Sequence, residues 1–494
     1  MARKHRGPKG LMGGQYRPLT DGQVSRIHEA ALTILERTGV HVEEPEALRL
    51  FREAGAIVAH DGPRARRPAR ARVQLPRALV EDAVDWAPSR VLLAGRDPRW
   101  DLDLGGARVH IGTGGAALTV LDVKTGQKRP AVLRDVAELA RLVDGLDNVH
   151  FYLVPVYPTD LGKDAVDVNT YYAGLANTTK HVQAGVYTVQ GIRDTVEMCE
   201  RIAGGAEPLR ERPIVSFITS WLVSPLKLAT DVTTLLIETC RQRIPVVLSG
   251  APMAGSTAPV TLAGMLAQLT AEQLSGVVLA QLAHRGAPLL IGPIPATADM
   301  RTGRYLAGAA EFGLANAAMA QMAQFYRLPI YNSAGMTDAK TPDVQAGFEK
   351  AMSAVLAALA GSNFVHHAAG MLENMNMVAA EQFVIDNEIL GMTMRVLQGI
   401  EVNDETLALD VIDEVGPGGH FLMSAHTIRH MRSELYYPSA VVDRQGWEMW
   451  QQDGGRDAVE RASEIARDIL ANHRPDPLDP AVENWIRQRF ELRI

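Results

Sequence analysis

The chain has 494 residues and a net charge of −7, with 47% apolar and 22% charged residues. This is the composition of a globular protein with a sizeable core, and the negative charge gives no indication of a nucleic-acid partner. No apolar run of about 18 residues and no signal-like start is visible, so we predict a cytoplasmic protein without a membrane span. The two cysteines, Cys199 and Cys240, fall in helix-like apolar runs, which predicts buried free thiols.

The first 104 residues are predicted to form a mostly helical N-terminal region. Thr20 is a suitable N-cap for a helix whose apolar positions, among them Val24 and Ile27, share one face. The amphipathic runs EPEALRLFREAGA and LPRALVEDAVDWA predict two more helices. The arginine-rich run between them, residues 63 to 73, is predicted to be a solvated loop.

Short apolar strands then alternate with helices across residues 105–400. Strands that alternate with helices pair in parallel through right-handed crossovers, and eight such units predict a (β/α)8 TIM barrel. An open doubly wound sheet usually carries a Gly-rich dinucleotide loop after its first strand. Here the run IGTGGAALTV continues as a strand, so the dinucleotide match is weak. The eight predicted strands are ARVHIGT, NVHFYLVPVY, KHVQAGVYTV, PIVSFITSW, IPVVLSGAP, PLLIGPIPA, LPIYNSAG and NFVHHAAGM.

The last segment, residues 401–494, is predicted to be a mostly helical extension of the barrel. Such an extension can cap the barrel or form a subunit interface, so we expect a homo-oligomer.

Reactive groups of such a barrel lie at the carboxyl ends of its strands, in a region that we call the rim. The residues that follow the predicted strands are aromatic or small more often than charged. They do not form the pattern of a phosphate cradle or of paired catalytic carboxylates. The rim candidates are Thr113, Gly114, Gly115, Pro155, Tyr157, Tyr187, Thr219, Ser220, Trp221, Ser249, Gly250, Pro293, Pro295, Met336, Thr337, Asp338, Lys340, His367, Met371 and Glu373.

Two groups of histidines are candidate site residues. His366 and His367 are adjacent on a strand, so their side chains should point to opposite faces and at most one should enter the barrel. His426, His430 and Glu434 are spaced i, i+4, i+8 on a predicted helix and share a face that is suited to a metal or to a packing network. We expect no metal, and we keep a metal-assisted hydrolase as an alternative function.

Several segments resemble the trimethylamine methyltransferase superfamily. They are GPGGHFLMSAHTIRHMRSELYYPSAVVDRQGWEMW, YNSAGMTDAKTPDVQAGFEKA, RIHEAALTILERTGVHV, APSRVLLAGRDPRWDLDLGG and IGTGGAALTVLDVKTGQKR, and the similarity runs in the same order along nearly the whole chain. The resemblance implies a (β/α)8 barrel that transfers a methyl group from a methylated amine to the cobalt of a separate corrinoid protein. The expected partner is therefore a cognate corrinoid protein, which carries the cofactor, and none is expected to bind tightly to this chain.

The resemblance also implies a class of substrate. The founding trimethylamine enzymes carry pyrrolysine at a position that aligns at or next to Met336, and this chain has none. Members without pyrrolysine use quaternary amines such as glycine betaine. We therefore expect a quaternary amine as the methyl donor.

A quaternary ammonium is bound best by aromatic faces. Tyr187 and Trp221, at the ends of the third and fourth strands, are expected to form a cage around the substrate that Phe421 closes. Met336 is expected to contact the substrate, and His367 to hydrogen-bond its carboxylate end. Packing within the core is the alternative for each aromatic residue.

Asp338 and Glu373 are the expected catalytic carboxylates, as countercharges to the ammonium. Asp338 has the alternative of capping the helix that begins near Pro342 or of pairing with Lys340, and Glu373 that of an exposed loop carboxylate. A non-catalytic scaffold that binds betaine or the corrinoid protein is the remaining functional alternative.

Overall fold

The computed structural model describes residues 10–60 and 71–494. Most of the arginine-rich run lies outside these residues. Its last residues belong to the strand Ala71–Gln74, where the sequence predicted a loop.

Eight parallel strands form the centre of the molecule, and each is found within a segment that the sequence predicted. Their inner and outer faces are almost entirely buried, as expected for a barrel wrapped in helices. The strands are β1 Arg108–Thr113, β2 Tyr152–Leu153, β3 Val182–Gly185, β4 Val215–Thr219, β5 Val246–Gly250, β6 Leu289–Pro293, β7 Tyr331–Ser333 and β8 Phe364–Ala369.

The strands close into a barrel in sequence order. Parallel pairing joins β2 through β6, and then β7, β8 and β1. A parallel bridge between Ile291 and Ile330 connects β6 to β7. The N–H of His150, just before β2, donates to the Ile111 carbonyl of β1 at 2.8 Å, which completes the ring. The (β/α)8 barrel predicted from the sequence is confirmed.

One helix follows each strand and packs on the outside of the ring. The eight helices are α1 Leu133–Asp144, α2 Lys163–Asn177, α3 Val189–Ala203, α4 Thr230–Gln242, α5 Leu262–Ala283, α6 Ala310–Tyr326, α7 Val344–Ala360 and α8 Ala380–Gln398.

Helix α5 is long and apolar enough to cross a membrane by length and composition, although the sequence predicted no span. Within its most apolar 18-residue window, 83% is buried inside the protein. It packs between the barrel and the N-terminal helices, which is the position of a core helix. Cys199 and Cys240 are buried and free, as predicted.

The N-terminal region is less helical than predicted. Its helices Asp21–Thr33, Pro45–Glu53 and Arg77–Trp86 are present, and Thr20 caps the first of them. The region also contains antiparallel strands of three or four residues, too short to show a clear alternation of apolar and polar positions. They are Val40–Val42, Ile57–His60, Ala71–Gln74, Arg90–Leu93 and Leu102–Gly105.

A hairpin of the N-terminal region closes the barrel at the amino ends of its strands. Val91 and Leu102, one from each hairpin strand, belong to the same apolar cluster as Val247 and Phe364 inside the barrel. The hairpin therefore closes the barrel interior at the amino ends of the strands, and the carboxyl end remains as the place for a site.

The C-terminal extension has two parts. The last two helices, Ala458–Asn472 and Pro480–Arg489, pack on the barrel helices, as the 2.7 Å contact between His473 and Asp144 illustrates. Residues 400–437, which we call the arm, contain the short helices Asp404–Leu407, Leu409–Val415 and Ala425–Glu434. The helix Trp447–Gln452 lies between the two parts.

Candidate active site

Met336 lies at the rim, three residues after strand β7 ends at Ser333. Its side chain is fully buried, and it belongs to the interior cluster with Leu153, Tyr331 and Phe364. Met336 therefore covers the packed interior at the end of the barrel where reactive groups are expected.

Glu349 of helix α7 fixes the loop that carries Met336. Its carboxylate accepts hydrogen bonds from the Thr337 hydroxyl and, at 2.8 Å, from the backbone N–H of Asp338. A Cβ at Gly308 would lie 2.2 Å from this carboxylate, so the approach of the neighbouring loop requires glycine there.

Lys350, the next residue of α7, fixes the other side of the same loop. Its ammonium donates to the carbonyl oxygens of Gly335 and Met371 and lies 3.2 Å from the Asp386 carboxylate. Both side chains are buried, and burial lowers the pKa of Lys350 and raises the pKa of Asp386. Because Asp386 also accepts from the Gly370 N–H at 2.7 Å, this ion pair ties the ends of β7 and β8 together.

Two neutral histidines lie beside this pair. Ser333 Oγ is 2.7 Å from His366 Nε2 and 3.3 Å from His367 Nδ1, and the ring centroids are 4.0 Å apart. Burial lowers the pKa of His366 well below its ordinary value and that of His367 to about 3. Both rings are therefore uncharged near neutral pH.

The prediction that these two histidines point to opposite faces is wrong. His367 has a φ of +65°, and the pairing of β8 with β1 shifts register between Val365 and Ala369. This irregularity ends the strict alternation of side chains and turns His367 toward His366.

The glycine pair after β1 makes room for this arrangement. A Cβ on Gly114 would lie 2.6 Å from the His367 backbone nitrogen, and a Cβ on Gly115 would lie 2.3 Å from Met371 Cε. The GTGG segment, which the sequence left without a role, is explained by close packing at the rim.

Three consecutive residues after β8 adopt left-handed backbone conformations. The φ angles of Glu373, Asn374 and Met375 are 49°, 56° and 72°, and such conformations cost about 1–2 kcal/mol per non-glycine residue. The loop is held by the Glu373 N–H, which donates to Ala339, and the Asn374 N–H, which donates to Thr337. As a result Met375 packs against the interior cluster.

Tyr187 pairs with Tyr157 at the ends of β3 and β2. Both rings are partly exposed, and they meet edge to face with centroids 5.4 Å apart. Buried Asp167 of α2 accepts from the backbone N–H groups of Tyr187 and Thr188, which fixes the backbone beneath the ring. Burial raises the pKa of Asp167 to about 6 and that of Tyr187 to about 12.

The Tyr305 hydroxyl is buried and has no hydrogen-bond partner among the described residues. The ring packs against the interior cluster, and burial, with a smaller contribution from the Asp338 carboxylate, raises the pKa of Tyr305. An unpaired hydroxyl in this position is available to a ligand at the rim.

Asp338 accepts from the backbone N–H groups of Ala307 and Gly308, at 2.9 and 3.3 Å. It does not cap helix α7, which Asp343 caps. Lys340 donates to the Asp338 backbone carbonyl at 2.6 Å. Burial raises the pKa of the Asp338 carboxyl, whose hydrogen-bond partners are uncharged.

Glu373 forms an ion pair with Lys128, on the hairpin that follows β1. Its side chain is partly exposed, so its charge is compensated at the outer edge of the rim. This placement agrees better with the alternative that Glu373 is a loop carboxylate than with its expected role as a countercharge to the substrate ammonium.

Trp221 lies in a different layer from the interior residues. It is fully buried in the apolar cluster between the strand ring and the helices, where it packs on Gly276 of α5. A Cβ on Gly276 would lie 2.5 Å from the indole ring. This packing argues against Trp221 as a cage residue.

Phe421 belongs to the arm, and its side chain is 44% exposed. Its carbonyl accepts from Thr427 of the same arm. The arm is attached where Arg395, near the end of α8, donates to the Glu434 carbonyl. Helix α8 runs from the rim to the amino end of the barrel, so these contacts leave Phe421 away from the site within one chain.

The three predicted metal-ligand candidates do not meet. His426 and His430 lie together, but Glu434 approaches Arg395, and the carboxylate beside the histidines is Glu405. Glu405 thus takes the position that the prediction gave to Glu434. The resulting cluster lies in the arm and not at the rim.

Sequence reasoning missed Glu349, Lys350 and Tyr305 as site residues. The first two carried a signal, because they are the only charged residues of an otherwise apolar or neutral α7 segment, VQAGFEKAMSAVLAALA. Tyr305 carried none, because it follows no predicted strand directly.

The chain is similar to known proteins along nearly its whole length. The family described as trimethylamine methyltransferase matches residues 9–493. The trimethylamine methyltransferase MttB of Desulfitobacterium hafniense (strain DSM 10664 / DCB-2) is 38% identical over 472 residues, which are 96% of this chain and 93% of that protein. The glycine betaine methyltransferase of Desulfitobacterium hafniense (strain Y51) is 33% identical over 471 residues, 95% of each chain. The crystal structure of the Methanosarcina barkeri monomethylamine methyltransferase is 14% identical, with a TM-score of 0.46 over 94% of this chain and 96% of that one.

Proposed function

The chain belongs to the trimethylamine methyltransferase family and is a methyltransferase, and from this premise we propose that it takes a methyl group from a quaternary amine of the glycine betaine type. The acceptor that we propose is the cobalt of a corrinoid on a separate protein. The observation that carries the choice of substrate is the buried thioether of Met336 at the rim, whose two histidines of β8, His366 and His367, are uncharged.

A quaternary amine suits such a rim because it needs no proton before it reacts. When the methyl carbon is attacked, the C–N bond breaks, its electron pair stays on nitrogen, and a neutral tertiary amine leaves. Met336, His366 and His367 cannot act as strong acids near neutral pH, since a thioether has no acidic proton and the pKa values of both imidazoles are lowered. A donor that already carries the positive charge matches that chemistry.

Tyr187 and Tyr157 are the aromatic residues that we propose for the cation. Their rings are partly exposed beside one another, and an aromatic face attracts a cation by about 0.5–2 kcal/mol. Asp338 is the proposed countercharge, because its carboxylate is bound only by neutral groups. Glu373 is a weaker choice, because Lys128 already compensates it.

The carboxylate end of a betaine requires hydrogen-bond donors. His367 and the unpaired Tyr305 hydroxyl are the groups that we propose for it. Holding both ends of the donor aims one methyl group out of the barrel, and positioning of this kind contributes much of the rate in transfer reactions.

The rim fits the proposed corrinoid acceptor, which would supply the nucleophilic cobalt from its own protein. The chain has to offer only an opening at the carboxyl end of the barrel, and the partly exposed Tyr157 and Tyr187 mark the proposed opening. The residues present therefore fit an acceptor that approaches from outside. Buried free thiols agree with a reducing, cytoplasmic setting.

The arm is the surface that we propose for a second copy of this chain. Residues 400–435 include seven aliphatic side chains that are more than 60% exposed, and at roughly 100 Å² each they approach the ~800 Å² per partner of a standard interface. The corrinoid protein is not the occupant that we propose, because the arm is attached at the end opposite the rim. These side chains are Ile400, Val402, Leu409, Leu422, Met423, Ile428 and Leu435.

The proposed reaction is tested by incubating the protein with a reduced corrinoid protein and a panel of methylated amines. Formation of methylcobalt changes the visible absorbance, so we expect a change with one or more quaternary amines and little with trimethylamine. A panel in which no amine methylates cobalt contradicts the catalytic proposal, and a response to trimethylamine alone contradicts the choice of substrate.

The role of Met336 is tested with Met336→Glu and Met336→Leu. Leucine keeps an apolar side chain of similar volume and should retain most of the turnover. Glutamate places a carboxylate at this buried position and should reduce kcat/KM by about tenfold or more. Equal kinetics for both variants and the parent would remove Met336 from the site. Val260→Glu, at an exposed loop position, is the control for an added charge.

A further inference from the structure

The helices of the arm have no buried residue in this chain. None of the residues in Asp404–Leu407, Leu409–Val415 or Ala425–Glu434 is buried. Short helices without a core are marginal in water, and a bound metal ion is one of the devices that stabilise such segments. The arm therefore needs contacts beyond apolar packing within itself.

Three side chains of metal-ligand type converge between two of these helices. His426 and His430 are one turn apart on Ala425–Glu434, with ring centroids 4.4 Å apart. Glu405, from the helix Asp404–Leu407, places its Oε1 3.0 Å from His430 Nε2. One ligand atom from each of the three residues lies within 4.8 Å of the other two.

We propose that Glu405, His426 and His430 bind a divalent transition-metal ion that joins the two helices. Two imidazoles and one carboxylate suit zinc, which bonds nitrogen at ~2.0–2.1 Å and carboxylate oxygen at ~2.0–2.2 Å. Ligand atoms around such an ion are about 3.3 Å apart, and the observed 3.0 Å between Glu405 and His430 is close to this. The fourth position is open to water.

The same side chains have partners without a metal. His430 Nε2 reaches the Glu405 carboxylate, His426 Nε2 reaches the Glu405 carbonyl at 3.2 Å, and Arg429 lies 3.4 Å from Glu405 Oε1. A hydrogen-bonded cluster is therefore the competing arrangement. The two differ in protonation, because a metal needs the Nε2 lone pairs that a donating imidazole does not offer.

The proposal is tested on the full-length protein after removal of metal with a chelator. Zinc is added, excess is dialysed away, and the bound metal is counted by mass spectrometry of the digested protein. We expect one zinc ion per chain for the parent protein and none for His430→Ala or Glu405→Gln. A parent protein that retains no zinc overturns the proposal.

His420→Ala is the matched control, because it removes another exposed imidazole from the same arm. It should retain one ion per chain. Equal zinc in His430→Ala and in this control would also overturn the proposal. Limited proteolysis gives a second readout: zinc should slow cleavage of the arm at least severalfold in the parent and the control, and should have no effect in His430→Ala.

The outcome is independent of the methyl-transfer proposal. Metal content and cleavage rate are measured without substrate or corrinoid, and the cluster lies in the arm, away from the rim residues. Failure of zinc binding would thus leave the proposed function intact, and failure of methyl transfer would leave the metal site intact.

Discussion

At the scale of single residues, the rim carboxylates all hold backbone or pair with a cation. Asp167 binds the backbone beneath Tyr187, Glu349 binds the Met336 loop, and Asp386 binds Gly370. These three carboxyl groups fix the geometry of the rim, whereas Asp338, which also accepts from backbone N–H groups, is the proposed countercharge to the substrate.

The buried Asp167 predicts a dependence of stability on pH. Its pKa is raised from 3.8 to about 6 in the folded protein, so the folded state binds more protons between these values than the unfolded state. The stability that Asp167 contributes is thus full below about pH 4 and is lost as the pH rises through 6. One pKa unit corresponds to about 1.36 kcal/mol. Between pH 4.5 and pH 7.5, the free energy of unfolding of the parent should therefore fall by roughly 2 kcal/mol more than that of Asp167→Asn.

Guanidinium chloride unfolding of both proteins at pH 4.5 and pH 7.5 checks this. Asp164→Asn is the control, because Asp164 is exposed on the same helix. A parent-to-variant difference that does not change with pH would show that the Asp167 carboxyl has an ordinary pKa.

At the scale of elements, helix α7 connects the rim to the barrel wall. Glu349 and Lys350 are adjacent in sequence, and they hold the backbone on the two sides of Met336. Asp386 of helix α8 completes the attachment, so two neighbouring helices position one loop.

Loss of one member of the Lys350–Asp386 pair should therefore destabilise the protein. Lys350→Met leaves a buried carboxylate without its cation, and removal of one partner of a buried pair typically costs about 3–5 kcal/mol. In Lys350→Met/Asp386→Asn a neutral amide replaces the carboxylate, and its oxygen can still accept from the Gly370 N–H, so part of that loss should return. Denaturant unfolding of both variants measures this.

Lys340→Met is the control for this pair, since Lys340 is an exposed lysine of the same loop. It should change the free energy of unfolding by about 0.5 kcal/mol or less. If Lys350→Met is as stable as this control, the pair does not hold the rim.

Elements were more predictable than the site that they build. The eight strands and helices follow from local patterns of apolar residues, which depend on near neighbours in the chain. The conformation of His367 and the convergence of Glu405 on His430 depend on residues far apart in sequence. Trp221 follows the end of β4 as a rim residue would. Its indole nevertheless packs against Gly276 of α5, on the outer side of the strand ring, because glycine leaves room for it there.

At the scale of the whole molecule, the barrel separates two surfaces. The rim carries the candidate site, and the arm leaves from the opposite end, near the last turn of α8. In the proposed reaction the acceptor protein has to reach the rim and leave in each cycle, whereas a permanent partner is free to cover the apolar arm. Obligate interfaces are indeed larger and more apolar than transient ones.

The arm therefore predicts that the chain associates with itself. Ile428 is 62% exposed and Leu409 is 65% exposed in the single chain, so aspartate at either position should fold normally and disrupt only contacts between chains. We expect the parent to have the mass of at least two chains by light scattering during gel filtration, and both variants to have the mass of one. Val260→Asp, at a position that is 63% exposed outside the arm, should keep the parental mass. A parent that is monomeric at micromolar concentration, or arm variants that keep the parental mass, would show that a second copy does not cover this surface.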